Sequence, residues 1–198
     1  MNITKTLLLL LIYMGITLSL TGQDSTNIGN IGITYGGLGK NDLAYFQGIE
    51  NDISYHGSKS YVIGISYEHP LKDWIFLASG VEYSYHKIKV DPTLFPSYHE
   101  KVHLVSVPVN IRLSFLKYFY IRTGACLHFN TQYPSNIDNQ TGLGANFGVG
   151  IQYQFHSRFS VFMNPYMKVY SLVPLSGSDP YQRLIEEGIK FGIQMKLK

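Results

Sequence analysis

Glu82, Ser84 and His86 stand two residues apart in the stretch VEYSYH, residues 81–86. An acid, a hydroxyl and an imidazole are the groups of a hydrolytic relay, in which the histidine activates the serine and the acid orients the histidine. Such a set would suit an enzyme that modifies membrane lipid. The spacing argues against it. Residues i, i+2 and i+4 of an extended chain point the same way in single file, so one strand does not bend the three into a relay, and no catalytic residue is expected. His99 and His103 are two imidazoles without a third ligand, which falls short of a metal site; neither a metal nor another cofactor is expected. Cys126 is the only cysteine, so no intramolecular disulfide forms, and its reading is a small buried filler. Asn139-Gln140-Thr141 is a glycosylation sequon by pattern only.

The remaining chemistry is charge. Glu68, Glu82, Arg112, Arg122 and Lys190 are spread along the chain, yet all have even numbers in or beside segments that alternate in polarity. If those segments form one closed sheet, the five point to the same side. A charge removed from water needs a partner. They are therefore expected to form a salt network in an enclosed interior, structural rather than a gate or an ion path.

The segments that must position them recur along the chain. Apolar and small or polar residues alternate over 29–37, 61–67, 75–85, 105–115, 119–129, 143–155, 159–169 and 189–197. In GLGANFGVGIQYQF (142–155), Leu143, Ala145, Phe147, Val149, Ile151, Tyr153 and Phe155 share one parity. Period two is the signature of a strand with unlike faces. Connections 38–60, 86–104, 130–142 and 170–188 are long and polar, whereas 68–74, 116–118 and 156–158 are short. That rhythm predicts an up-and-down meander with its two ends in different surroundings. In the last long connection, Asp179-Pro180 and Gly188 bracket a predicted short helix. Pro108 and Pro165 fall inside strands and predict local bulges.

Two patterns say which face is outside. Inside the windows Glu82, Arg112, Arg122, Lys168, Lys190 and Lys196 all lie on the even face. On the odd face the rings gather at the strand ends: Tyr67, Phe115, Phe119, Tyr153, Phe155 and Phe159 by the short turns, and Tyr35, Tyr61, Tyr83, Tyr85 and Phe129 toward the long connections. Aliphatic side chains such as Ile65, Val81, Val109, Ile121 and Val149 run between them. Two aromatic belts around an aliphatic band match a bilayer and its two interfaces. A soluble core has no reason to sort rings by height. The even face is rich in glycine, including Gly64, Gly80, Gly124, Gly148 and Gly192, which suits the narrow lumen of an eight-stranded barrel. A soluble lipocalin-like carrier would need an apolar interior, and the even face is polar.

The chain of 198 residues has a formal charge of +3 and no basic stripe, so nucleic acid is not an expected partner. Residues 1–22, with Lys5 ahead of the apolar run Leu7–Leu20 and small or polar residues after it, have the layout of a secretory signal peptide. The run is shorter than the roughly 20 residues of a spanning helix. Residues 23–198 are expected to form the barrel domain.

VPVNIRLSF (107–115), YIRTGACLHF (120–129), GLGANFGVGIQYQF (142–155) and SRFSVFMNPYMKVY (157–170) resemble the PorT-like group of small outer-membrane barrels, and the layout is similar to OmpX-like barrels. The resemblance covers nearly all of residues 23–198 and includes no catalytic motif, so no residue role follows from it. It implies outer-membrane lipid as the surroundings and, for some members, a link to envelope or secretion proteins. The expectation is thus an all-β, eight-stranded antiparallel up-and-down transmembrane β-barrel of a Gram-negative-type outer membrane. It is expected to be non-enzymatic and to act through its long loops or its periplasmic rim. An outer-membrane lipid-modifying enzyme is the alternative.

Overall fold

The computed structural model describes residues 28–45, 53–92, 96–131, 137–175 and 182–197; residues 1–22, expected from the sequence to be a signal peptide, lie outside them. Eight strands follow one another: β1 (Gly29–Tyr45), β2 (Ile53–Lys72), β3 (Ile75–Pro92), β4 (Tyr98–Phe115), β5 (Phe119–Asn130), β6 (Gly142–Gln154), β7 (Phe159–Pro174) and β8 (Gln182–Leu197). Each pairs antiparallel with the next, and β1 pairs with β8 to close the barrel. Closure leaves no edge strand with unpaired backbone groups, which a sheet in hydrocarbon cannot afford.

The alternation separates the faces as expected. Ile33, Ile65, Val109, Ile111, Val149 and Ile193 lie exposed on the outer wall, while Glu68, Glu82, Arg112, Arg122, Lys168 and Lys190 are buried inside. So much exposed apolar surface has no place in water. The outer wall is a lipid-facing surface. Two inward glycines sit where a side chain would collide: an added Cβ would come 2.4 Å from the Phe162 ring at Gly192 and 2.3 Å from the Tyr120 ring at Gly150. Gly192→Ala also meets the Ile33 carbonyl at 2.4 Å, so this variant is expected to lose about 1–3 kcal/mol, the range for an overfilled interior. Thermal unfolding in detergent measures it; an unchanged midpoint would show that the lumen has slack at this level.

The strands are longer than their apolar windows. At the short-turn end the boundaries agree with the pattern, but at the other end β1, β2, β3, β4, β7 and β8 run on through most of the segments read as long loops. The reason is an inversion of polarity along β1, β2, β3, β4 and β8, whereas β7 keeps Leu172 and Val173 exposed at this end. Above the aromatic belt the outer face turns charged, with Lys59, Lys87 and Lys101. The inner face there turns apolar: Leu43, Ile88, Val102, Leu104, Tyr170 and Leu184 form one buried cluster with Ile137 of the β5–β6 connection, and Tyr55 packs against it. Alternation continues, with the apolar side reversed. The same inversion overturns the helix expected before Gly188, because Gln182–Gly188 is the first part of β8, and Gln182, Leu184 and Glu186 face inward.

Bulges also shift parity. The register slips between Gly36 and Leu38 in β1, between Gly57 and Lys59 and between Pro70 and Lys72 in β2, and in β7 opposite Leu143–Ala145. Beyond the first slip it is odd-numbered Asn41 and Leu43 that face inward. Ser171, at a left-handed φ of 47°, marks the β7 slip. The strand prolines sit elsewhere. Pairing of β3 with β4 lapses between Ser79↔Val109 and Glu82↔Ser106 and resumes in the same register. That of β6 with β7 lapses between Gly148↔Tyr166 and Ile151↔Met163 in the same way. Pro108 and Pro165 are therefore taken up by a gap in the ladder rather than by the expected bulges. Proline withholds a donor without adding a residue, and the Ser79 hydroxyl donates to the free Pro108 carbonyl at 3.0 Å.

Candidate functional site: the polar lumen

Side chains from opposing walls meet inside the barrel at successive levels. At the short-turn end lies a vestibule of about 800 Å3, with Lys72, Lys117, Arg158 and Lys196 in its lining and Arg112 and Ser114 deeper in. Arg112 and Arg122 are directly opposite each other on β4 and β5, an unfavourable juxtaposition of like charges. Glu68 on β2 resolves it. Arg112 Nη1 donates to Glu68 Oε2 at 2.5 Å, and Arg122 Nη2 donates to the other carboxylate oxygen. Arg112 also donates to Gln152 Oε1 and lies over the Tyr120 ring at 4.4 Å. Gln152 passes the chain on, donating to Ser160 at 2.6 Å and to Gln194 at 3.0 Å.

The next level centres on Glu82 of β3. Lys168 of β7 donates to Oε2 at 2.5 Å, and Lys190 of β8 donates to Oε1. Lys190 also lies 4.5 Å from the centre of the Tyr166 ring. A void of about 10 Å3 separates this cluster from Arg122, Asn110 and Asn146, room for one water at most. Above it, Tyr166 and Tyr170 both donate to Glu186, and His86 Nε2 is 3.9 Å from the same carboxylate. The apolar cluster of Leu43, Ile88, Val102, Leu104 and Leu184 follows.

The five charges read from the sequence thus all point into the lumen but divide into two clusters, Glu68 with Arg112 and Arg122, and Glu82 with Lys190. Two members were missed. Lys168 was legible as an inward charge, and its pairing with Glu82 depends on the stagger of β3 against β7 across the barrel. Glu186 sits where a helix was expected; the signal that could have found it is the even-numbered run Gln182, Leu184, Glu186, Gly188, Lys190.

Ser84, His86 and Glu82 do face the lumen in file. The Ser84 hydroxyl lies 3.2 Å from the Tyr170 hydroxyl, Glu82 is taken by the two lysines, and neither ring nitrogen of His86 has a hydrogen-bond partner among the described residues. Outside the barrel, Nδ1 of His103 is 2.5 Å from the Tyr83 hydroxyl. Among the described residues no group of three or more His, Cys, Asp or Glu side chains is placed to hold a metal. Cys126 is buried and free.

No family model matches the chain. No curated protein is similar to it in sequence at a significant level. Solved structures are similar in fold. The outer membrane protein OprG of Pseudomonas aeruginosa has 10% identity and a TM-score of 0.57, over 86% of this chain and 97% of that one. AlkL, in lipid bilayers, has 10% identity and a TM-score of 0.44 over 89% and 92%. The N-terminal β-barrel domain of P. aeruginosa OprF has 18% identity and a TM-score of 0.38 over 84% and 99%. The fold is that of small Gram-negative outer-membrane barrels. With the lipid-facing wall, it places this chain in an outer membrane.

Proposed function

We propose that this outer-membrane barrel is non-enzymatic and offers no aqueous passage, its lumen being blocked by its own side chains. Its work is then done at its rims, through the long loops or the periplasmic end, in envelope structure, interaction or a secretion-linked role. The four sequence blocks of residues 107–170 are our ground for assigning it to the PorT-like group. The observation that carries the reading is that opposing walls are tied across the lumen at successive heights, by Glu68 to Arg112 and Arg122, by Glu82 to Lys168 and Lys190, and by Glu186 to Tyr166 and Tyr170. Eight strands leave an interior just wide enough for side chains, and these ties occupy it. The expected result in planar bilayers is no large, stable conductance. Reproducible porin-size steps from the purified full chain would overturn the blocked lumen.

A further inference from the structure

The outer face of β2, β3 and β4 changes character row by row toward the long-loop end. One row pairs Tyr61 with Tyr85 and Tyr85 with His103; Tyr61 and Tyr85 stack at 5.1 Å, and Tyr85 meets His103 edge-on at 5.0 Å. The row above pairs Lys59 with Lys87 and Lys87 with Lys101. The next sets His56 opposite Lys89 and Lys89 opposite His99. Lysines directly opposite one another across three adjacent strands repel. Of the lysines named here only Lys89 has an acidic partner among the described residues, Asp91 at 2.8 Å; Lys59, Lys87 and Lys101 form no ion pair there. Among the described residues the fold therefore carries a row of positive charge without ion-pair partners, immediately above a row of rings.

Aromatic rows mark the depth at which a bilayer gives way to its headgroups. In barrels of this kind the long loops are extracellular and the short turns periplasmic. The lysine row then stands at the headgroup level of the outer leaflet. We propose that Lys59, Lys87 and Lys101 form a docking site for the phosphate groups of an outer-leaflet glycolipid, whose acyl chains lie against the aliphatic wall of Ile63, Ile65 and Val81 below the rings. Adjacent strands are about 4.8 Å apart, so the row spans about 10 Å, enough to engage more than one phosphate. This inference rests on the outer-membrane placement and is independent of whether the lumen is blocked.

The test uses the folded full chain in zwitterionic micelles, titrated with lipid A, a bisphosphorylated acylated disaccharide. Wild-type protein is expected to bind it and to lose affinity as salt is raised. The triple variant Lys59→Gln/Lys87→Gln/Lys101→Gln is expected to bind about 100-fold more weakly, the scale for three lysines at an anionic lipid surface. A control at the other rim, Lys72→Gln/Lys117→Gln/Arg158→Gln, is expected to bind as wild type. Dephosphorylated lipid A should bind the wild type as weakly as phosphorylated lipid A binds the triple variant. Without glycolipid, the triple variant should unfold at the same or a higher urea concentration than wild type, because repulsion has been removed. Equal binding by wild type and triple variant would overturn the proposal, as would a triple variant that fails to fold. Inorganic phosphate that displaces lipid A at millimolar concentration would make the row a free-anion site and overturn the lipid assignment. Phosphatidylglycerol binding as tightly as lipid A would overturn the choice of a glycolipid.

Discussion

Glu82→Gln is expected to lower the stability of the folded barrel by about 3–5 kcal/mol, the scale for removing one partner from a buried ion pair. Glu82 is the only carboxylate bonded to either Lys168 or Lys190 among the described residues, and all three are buried. Glutamine keeps the shape and some hydrogen bonding but leaves two ammonium groups without the carboxylate bonded to them. Replacing the whole set, Glu82→Leu/Lys168→Met/Lys190→Met, should recover most of the loss, because an apolar set of similar volume carries no desolvation cost. Urea unfolding in lipid vesicles, followed by tryptophan fluorescence or gel mobility, gives both numbers. A loss below about 1 kcal/mol for Glu82→Gln is the value of a solvent-screened pair. It would mean that water reaches Glu82, and the case for a blocked lumen would fail with it.

The second large effect belongs to the outer wall. Val149→Arg places a guanidinium on the lipid face near the middle of β6, and should cost about 2–4 kcal/mol. Tyr153→Arg, on the same strand and face but beside the short-turn belt, should cost about 0–1 kcal/mol for the charge, plus the lost stacking of Tyr153 on Tyr118. Depth dependence is the diagnostic, since water on this wall would make both changes mild. A lumen substitution is a poorer control than the sequence suggests. Gln152 has the opposite parity, but it accepts a bond from Arg112 and donates to Ser160 and Gln194, so Gln152→Arg would set like charges together. Should Val149→Arg unfold with the wild type in vesicles, the assignment of the outer face is wrong.

Parity alone was enough to read eight strands, the closed meander and the inward direction of the charges, because each is a local property of alternation. It was not enough for the upper third of the barrel. There Ile88, Val90, Val102 and Leu104 turn inward and Lys87 and Lys101 turn outward, so a search for strands with an apolar outer face stops where the surroundings change from lipid to water. The pairings inside the lumen were hidden for a different reason. They join strands remote in sequence, as β3 with β7 and β8, at heights set by stagger and bulges. Glu82 meeting Lys168 and Lys190, rather than Arg112 and Arg122, follows from that stagger.

The polarity inversion has a consequence for how the barrel enters its membrane. The loop-end extensions of β1, β2, β3, β4 and β8 are charged outside and bury Leu43, Ile88, Val102, Leu104 and Leu184 within, and are joined to a segment that is apolar outside. To reach its final position, that charged half has to pass through the hydrocarbon, carrying Lys40, Asp42, Lys59, Lys87, Lys101 and Glu187 on its exterior. The short-turn half has far less to carry. Passage of these charged hairpins is therefore costly in either direction, because each charge must leave water. Once they are across and Leu43, Val102 and Leu184 have zipped together, the same charges hold the barrel against slipping back.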